Sequence, residues 1–293
     1  MSETQEGSLL ITPGDIKILE DEIQIPIKKE MLSDEIYYKI LREYLKGYKK
    51  IILVGKLTDE QMGFIHVIHR RIVGLEVTEQ ERERIILTDL LKPEDVDLDK
   101  ITNQMFSFII AMANDIISYI NDSQSPGDKI LDRDSVTTRN HNLAYRCCTM
   151  SLKDSMYLGK LKKTTDEILI ISRIIRYLDM IGTTLVGISY LINEKMTEGM
   201  KKYHYKVFER NEEINKNLDK FLKKWLVYFK SIKDALKKKN TEKATKLYLN
   251  RFDLVFDIKS NTLKPSEHLT NISNFLEQLS KISSFILRDF IMY

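Results

Sequence analysis

Hydrophobic and polar positions follow two different periods within the first 91 residues. Apolar residues recur with helical spacing in two stretches, which predicts one helix from Ser33 through Tyr48 and another that Asp59 or Thr58 caps and that runs to about Ile72. Strand patterns surround these helices and occupy residues 22–27, 49–55 and 74–91. The last strand pattern is long enough for a hairpin. The order β-α-β-α-β-β therefore predicts a small α+β domain.

The strand predicted at residues 22–27 contains Pro26, which lacks the amide hydrogen that a central strand needs. We therefore place this strand at an edge of the sheet. A free edge can pair with a strand of another chain, so we expect the small domain to contribute to a homodimer.

Beyond residue 96 the strand patterns cease and long amphipathic stretches follow one another. Their spacing predicts six helices, at residues 99–121, 129–158, 164–195, 203–239, 241–263 and 265–290. The third and sixth are apolar on most sides, which is typical of helices at the centre of a bundle. Three helices followed by three more suggest an internal duplication. We predict a mainly α protein with domains at residues 1–19, 20–95, 96–197 and 198–293.

Composition favours a helical protein in a reducing compartment. Pro (5) and Gly (11) are few among 293 residues, so helices have few interrupters. Cys147 and Cys148 are adjacent and cannot form an ordinary disulfide with each other without distorting the backbone. The longest apolar run, 180–192, is shorter than the roughly 20 residues of a bilayer span, and the first residues carry no signal-peptide pattern. We predict a cytoplasmic protein without membrane insertion.

The net charge of +3 conceals a basic segment. Between Gly199 and Lys246 there are 15 Lys and Arg but only 6 Asp and Glu. A segment of this kind can attract nucleic acid, anionic lipid or an acidic protein, or it can be a solvated helix face. We keep a DNA-binding transcription regulator acting through residues 201–246 as the alternative function.

The sequence contains no strong pattern of catalytic residues. His66 and His69 share a helix face, but no third metal ligand is evident nearby, so ordinary surface histidines are the simpler interpretation. Arg146 could lower the pKa of Cys147, yet no nucleophile–base arrangement surrounds that thiol. A metal-dependent hydrolase would need paired carboxylates or a metal triad. We therefore predict that the protein is not an enzyme.

Two segments, LDMIGTTLVGIS (Leu178–Ser189) and LEQLSKISSFIL (Leu276–Leu287), occupy the third helix of each group. They resemble the signature L-E-R-I-G-D-H-A-x-N-I-A of the PhoU family of phosphate-uptake regulators. YLKGYKKIILVG and RRIVGLEVTEQ resemble the α+β segment that precedes the repeats in the archaeal branch of that family. EGSLLITP resembles the last strand of an AbrB-like DNA-binding domain, so residues 1–19 are expected to be a remnant of that module. The resemblance implies two three-helix repeats behind the α+β domain.

In the PhoU family, acids at positions i and i+4 of these helices bind clusters of iron, zinc or other metals. By resemblance, the first acids of three such pairs are retained here, at Asp134, Asp179 and Glu277. The second acids are replaced, by Thr138, Thr183 and Lys281. A neutral hydroxyl is a weak ligand and an ammonium group occupies the cation's place. We therefore predict a degenerate site without a bound metal or other cofactor.

Cations of the protein are expected to replace the metal beside these acids. Asp179 is expected to pair with Arg173, Arg176 or a cation of another helix. Glu277 is expected to pair with Lys281 at i,i+4, the favourable order on a helix.

The resemblance implies a non-enzymatic regulator of phosphate uptake or phosphate signalling that acts through protein–protein contacts. Partners in the family are the ATPase of a phosphate transporter and a membrane sensor kinase. We expect the acidic surfaces around Asp134, Asp179 and Glu277 to make such contacts.

Overall fold

The computed structural model describes residues 2–3, 9–10, 21–92, 95–122, 127–192, 212–254 and 267–292. The protein is mainly helical and contains a small four-stranded sheet. It divides into two compact units. The first unit comprises Met1–Ile101 and Arg139–Ser172, and the second comprises Thr102–Thr138 and Arg173–Tyr293. Each unit therefore combines two separate stretches of the chain.

Two short strands lie near the N-terminus, β1 (Ser2–Glu3) and β2 (Leu9–Leu10). They pair antiparallel, with Ser2 opposite Leu10. The strand predicted from GSLLIT includes β2, and its other residues lie outside the described part of the chain. The assignment of residues 1–19 to an AbrB-like remnant, like the other domain boundaries, stays a prediction.

The larger sheet belongs to the first unit and has four strands. They are β3 (Glu22–Pro26), β4 (Lys50–Val54), β5 (Leu75–Glu81) and β6 (Arg84–Asp89). Their order is β3-β4-β6-β5; β3 runs parallel to β4, and the other pairs are antiparallel. The predicted β5–β6 hairpin and the predicted edge position of the Pro26 strand are both confirmed.

Two helices of the first unit, α1 (Ser33–Lys46) and α2 (Asp59–His66), pack against this sheet. Alternate strand residues point toward them, because side chains of a strand alternate between its two faces. The resulting core is built mainly of buried isoleucines and leucines, among them Ile36, Ile40, Ile51, Leu53, Ile65, Ile85 and Leu87. Tyr44 is also fully buried here, and its hydroxyl donates to the Val73 carbonyl at 2.9 Å.

The ends of α1 and α2 differ slightly from the predicted ends. Helix α1 stops at Lys46 because Gly47 takes the left-handed conformation, with φ of 103°. Helix α2 begins as predicted with a Thr58 cap, whose side chain accepts from the Gln61 amide in a capping box. It ends at His66 rather than near Ile72, and a short 3-10 turn follows at Ile68–Arg70.

The remaining helices include all six that the sequence predicts. They are α3 (Leu98–Asp122), α4 (Gly127–Lys153), α5 (Ser155–Lys160), α6 (Thr165–Ile192), α7 (Glu212–Lys237), α8 (Thr241–Leu249) and α9 (Glu267–Ile291). Residues 193–211 and 255–266, where parts of the predicted helices fall, lie outside the described part.

Two predicted helices are shorter than expected. The one predicted to reach Leu158 breaks at Asp154, which is extended and whose carboxylate accepts from the Met156 amide to begin α5. The one predicted to reach Leu263 is interrupted: α8 ends at Leu249, and helical residues resume at 252–254, after which the chain lies outside the described part. At the end of α8 the Arg251 guanidinium donates to the Tyr248 carbonyl at 2.7 Å and so occupies an acceptor that a continuing helix would use.

The second unit buries the aromatic face of α7. The Trp225 ring stacks on Phe229 with a centroid distance of 4.8 Å, and Phe229 contacts Phe106 of α3. The Trp225 indole N–H donates to the Ser283 hydroxyl of α9 at 3.0 Å. These aromatic side chains are core residues, and α7, α8 and α9 contact one another.

Candidate functional site

Two carboxylates of the second unit come together between α4 and α6. Asp134 lies on α4 and Asp179 on α6, and each is partly buried. The Thr138 hydroxyl, one helical turn after Asp134, donates to the Asp179 carboxylate at 3.0 Å. Residues four apart share a helix face, so α4 presents Asp134 and Thr138 to the same neighbour. Two of the three predicted site acids are therefore adjacent.

Gly182 of α6 allows α4 to approach this closely. A Cβ atom added at Gly182 would lie only 3.0 Å from Oδ1 of Asp134 and 3.8 Å from the Thr137 methyl group. The absence of a side chain at Gly182, a residue type that permits close packing of helices, is what this contact requires. An alanine at Gly182 would require the Asp134 carboxylate to shift by a few tenths of an ångström.

Asp134 is the electrostatically unusual member of the pair. Its Oδ1 atom is buried without a hydrogen-bond partner among the described residues. Burial and, secondarily, the negative charge of Asp179 raise the pKa of Asp134 from 3.8 to about 6. The neighbouring Arg133 does not relieve this, since it pairs with Asp115. The site can therefore exchange a proton, or accept a cationic group, close to neutral pH.

The donor set does not fit a multinuclear metal cluster. Within the described residues no group of three or more His, Cys, Asp and Glu side chains is placed to hold a metal ion. The Thr138 hydroxyl is engaged with Asp179, and the Thr183 hydroxyl donates to the Asp179 backbone carbonyl at 3.2 Å. Two carboxylates alone supply fewer oxygens than such clusters require.

Both predicted ion pairs of the site acids are wrong. Over the described residues Asp179 has no cation at ion-pair distance. Its carboxylate accepts from the Thr138 hydroxyl, and Nη1 of Arg173 lies 3.8 Å from Oδ2 of Asp289. In that same part of the chain Glu277 and Lys281 form no ion pair, and both side chains point into solvent. Solvated ends of long side chains gain little from pairing. Nor does the structure bring Glu277 into contact with Asp134 and Asp179.

No protein-family model, no curated protein and no solved structure matches this chain. In the described helices there is also no segment long and apolar enough to cross a bilayer.

The cysteines and histidines that the sequence offers as reactive or metal-binding residues do not belong to the carboxylate pair. Cys147 and Cys148 are both buried, and burial raises the pKa of both thiols, that of Cys148 to about 12. A nucleophilic cysteine needs the opposite shift. His66 is exposed at the end of α2, and the His69 side chain lies outside the described part.

The basic segment is only partly described, because residues 201–211 fall outside the described ranges. Several lysines of α7 are exposed, at Lys216, Lys220, Lys223, Lys224 and Lys230. Acids on the same helix balance part of this charge: Asp219 pairs with Lys223 at 2.7 Å, and Asp234 pairs with Lys238 at 2.9 Å. The described part of the segment is therefore a mixed, solvated face.

Sequence reasoning missed two buried polar networks. Arg146 of the first unit pairs with Asp89 at 2.7 Å and donates to the backbone carbonyls of Tyr44 and Tyr48. In the second unit the buried Asp289 accepts from the Tyr177 hydroxyl at 3.0 Å. An arginine in the core-facing phase of a helix, between Ala144 and Cys147, was the available signal for the first network.

Proposed function

We propose that this chain is a non-enzymatic, PhoU-like regulator of phosphate uptake or phosphate signalling. It acts through protein–protein contacts, and its second unit provides the acidic surface that a partner recognises. The resemblance of two segments to the PhoU signature motivates the proposal, and the partner is expected to be the ATPase of a phosphate transporter or another signalling component.

One observation carries the proposal. Asp134 and Asp179 lie 45 positions apart in sequence, on two different helices, and are neighbours. Thr138, at a lost second-acid position, donates to Asp179. A hydroxyl thus takes part of the role that a metal ion has in the family. Such a site keeps two partly exposed carboxyl groups next to each other without a metal, which suits recognition of a basic partner.

Deletion of the gene in the native organism tests the proposal. We expect the deletion strain to show altered phosphate uptake and phosphate accumulation, restored by the wild-type gene. Purified protein is expected to bind the purified transporter ATPase subunit of the same organism in a concentration-dependent manner, measured by biolayer interferometry. Unchanged phosphate uptake together with no binding would overturn the proposal.

A matched pair of variants locates the contact surface. The double variant Asp134→Ala, Asp179→Ala is expected to weaken ATPase binding at least about tenfold, on the order of 1.4 kcal/mol. Asp132→Ala removes an exposed acid from the same helix and is expected to bind as wild type does. Equal loss in both variants would indicate general charge attraction and not this site.

The exposed lysines of α7 favour one second candidate, a DNA-binding transcription regulator. Neutralising several phosphates would make its affinity fall steeply between about 50 and 200 mM salt. Fluorescence anisotropy with the gene's own promoter and a scrambled duplex distinguishes the two functions. Equal, salt-sensitive binding to both duplexes would be non-specific attraction, and it would leave the protein-contact proposal in place.

A further inference from the structure

An arginine held against two aromatic rings lies just after α8, in the second unit. The guanidinium carbon of Arg251 is 3.9 Å from the centre of the Tyr248 ring and 4.0 Å from the centre of the Phe252 ring. Its Nη1 atom donates to the Tyr248 carbonyl at 2.7 Å. A guanidinium carries five N–H groups in one plane, so stacking on aromatic faces leaves the remaining N–H groups at its edge.

Arg251 has no acidic partner among the residues that the structure describes. Its side chain is partly buried, and no carboxylate there lies at ion-pair distance from it, although Asp253 is close in sequence. A guanidinium stays protonated at any physiological pH. Its free edge is therefore suited to a carboxylate supplied by another molecule, because Arg–carboxylate pairs are often bidentate and charge-assisted.

A second arginine stacks on an aromatic ring of α9. The guanidinium carbon of Arg288 lies 4.7 Å from the centre of the Phe285 ring. Nε and Nη2 of Arg288 both lie 3.0 Å from Oδ1 of the buried Asp289. Oδ2 of the same carboxylate lies 3.8 Å from Arg173 of α6, so one acid serves two guanidinium groups. The charge of this group of residues is therefore positive.

The two stacked arginines belong to one surface, because Tyr248 lies near both. Tyr248 contacts Arg251 directly, and α8 contacts α9. The Asp289 carboxylate raises the pKa of Arg288, and Tyr248 contributes weakly in the same direction, which places Tyr248 within electrostatic range of Arg288. The arginine–aromatic surface, as we name it, consists of Tyr248, Leu249, Arg251, Phe252, Phe285 and Arg288.

Exposed apolar side chains accompany the arginines on this surface. Phe252 is 61% exposed and Leu249 is 65% exposed. Arginine and aromatic residues are enriched among the side chains that dominate the binding energy of protein interfaces. A small oxyanion would gain little from exposed Phe and Leu side chains, whereas a protein segment would bury them. These neighbours therefore favour a protein partner over a free anion.

We propose that the arginine–aromatic surface binds an acidic segment of a partner protein. A Glu or Asp carboxylate of that segment meets the edge of the Arg251 guanidinium, and an adjacent apolar side chain packs on Phe252 and Leu249. The inference does not rest on the proposed regulatory function. It concerns a partner of opposite charge to the one that suits the Asp134–Asp179 pair.

Three short capped peptides of equal length test the proposal on the full chain. Each has a central Leu-Phe pair, flanked by glutamates in the first peptide, glutamines in the second and lysines in the third. Fluorescence anisotropy is expected to give the glutamate peptide a dissociation constant of about 0.1 mM and the glutamine peptide an affinity at least about tenfold weaker. The lysine peptide should bind more weakly still. Equal binding of the glutamate and glutamine peptides, or no glutamate-peptide binding up to about 2 mM, would overturn the proposal.

A lysine at position 251 separates the stacked guanidinium from simple positive charge. Lysine keeps the charge but lacks the planar fork, so Arg251→Lys is expected to weaken the glutamate peptide about three- to tenfold. Arg82→Lys makes the same change at an exposed arginine of the turn between β5 and β6, and it should bind as the wild type does. Undiminished glutamate binding to Arg251→Lys would refute the assignment of Arg251.

The apolar contact is tested at Phe252, an exposed position that remains informative if the Arg251 variant impairs folding. Phe252→Ser is expected to weaken the glutamate and glutamine peptides alike, by about three- to tenfold. Val227→Ser, which changes an exposed apolar residue of α7, is the matched control and should leave binding unchanged. Undiminished binding of both peptides to Phe252→Ser would place them elsewhere on the protein.

Sedimentation velocity distinguishes a foreign partner from a second copy of this chain. We expect the wild type and Phe252→Ser to have the same oligomeric state. A wild-type dimer that Phe252→Ser converts to a monomer would show that another copy of the chain covers the arginine–aromatic surface, and it would overturn the assignment to an acidic partner.

Discussion

Asp134 carries an energetic cost that its neighbours do not remove. Its carboxylate is partly withdrawn from water, faces a second carboxylate and has an unpartnered buried oxygen. Burying an unpaired charge is among the few changes that cost several kcal/mol, and a protein keeps it only where something else requires the charge. This cost can be measured.

Replacing Asp134 by Asn is expected to stabilise the protein at neutral pH. The pKa of Asp134 is raised in the folded protein to about 6, so between about pH 4 and pH 6 the folded state holds a proton that the unfolded chain has released. The stability of the wild type should therefore fall as the pH rises through this window. Asp134→Asn removes that dependence. The expected gain is on the order of 1–3 kcal/mol at pH 7 and close to zero at pH 4.

Urea unfolding of both proteins at several pH values between about 4 and 8 measures this difference. Asp132→Asn, which changes an exposed acid of the same helix, is the control and should follow the wild type within about 0.5 kcal/mol. If Asp134→Asn is less stable than the wild type at pH 7, burial of the Asp134 carboxylate does not destabilise the folded protein.

Adding acids at two positions of the site is expected to create metal binding. Thr138→Glu and Thr183→Asp together give Asp134 and Asp179 their i+4 carboxylate partners, and the four carboxylates can surround one cation. Elemental analysis after incubation with zinc and gel filtration should find about one equivalent in this variant and little in the wild type.

The control adds two acids to exposed positions of the same two helices, as Ser135→Glu and Met180→Asp. It should bind no more zinc than the wild type. Stoichiometric metal in the wild type, lost in Asp179→Ala, would instead show that the existing residues suffice.

Sequence could identify the residues of the site but not their partners. The resemblance to the PhoU signature pointed to Asp134 with Thr138 and to Asp179 with Thr183. It could not show that Thr138 donates to Asp179. These two residues are 41 positions apart, and the bond between them depends on how α4 packs against α6. The expected Arg173 pairing failed for the same reason, since Asp289 lies on a distant element.

At the scale of elements, Gly47 determines where α1 stops. Its φ of 103° lies in the left-handed region, and an added Cβ atom would overlap the Met150 sulfur of α4. We expect Gly47→Ala to lower the free energy of unfolding by at least about 1–2 kcal/mol. Gly63, inside α2, has open space around it, and Gly63→Ala is expected to raise stability by about 0.5–1 kcal/mol.

Urea unfolding of the two variants side by side gives the comparison. The free energy of unfolding is expected to fall in Gly47→Ala and to rise in Gly63→Ala. If Gly47→Ala is as stable as the wild type, the helix end tolerates a side chain and the close packing against Met150 is not limiting.

Element types were predictable and element ends were less so. Strand and helix periods come from local alternation of apolar residues, which the sequence displays directly. The end of α4 depends on the Asp154 side chain bonding the Met156 amide, and the end of α8 on Arg251 reaching a carbonyl. Both are side-chain bonds to the backbone that compete with the helix, and amphipathic spacing continues past them.

At the scale of the whole molecule, one arginine holds together distant parts of the first unit. Arg146→Met is expected to destabilise the protein by about 3–5 kcal/mol, because it leaves the buried Asp89 unpaired and the carbonyls of Tyr44 and Tyr48 without their donor. Arg84→Met, at an exposed and weakly paired position of β6, should cost less than about 1 kcal/mol.

Chemical denaturation of the full chain measures both variants, and the double variant Arg146→Met, Asp89→Leu tests the mechanism. If the unpaired carboxylate causes most of the loss, the double variant should recover part of it. Equal stability of the single and double variants would assign the loss to the carbonyls instead.

The Arg146 network has a practical consequence for anyone who divides this gene into fragments. Strand patterns end and helix patterns begin near residue 95. A fragment that ends there would be judged a complete domain from its sequence pattern. That piece would lack the guanidinium that Asp89 and the end of α1 depend on. An expression fragment for the first unit should therefore join residues 21–101 to residues 139–172, with a linker replacing the residues between them.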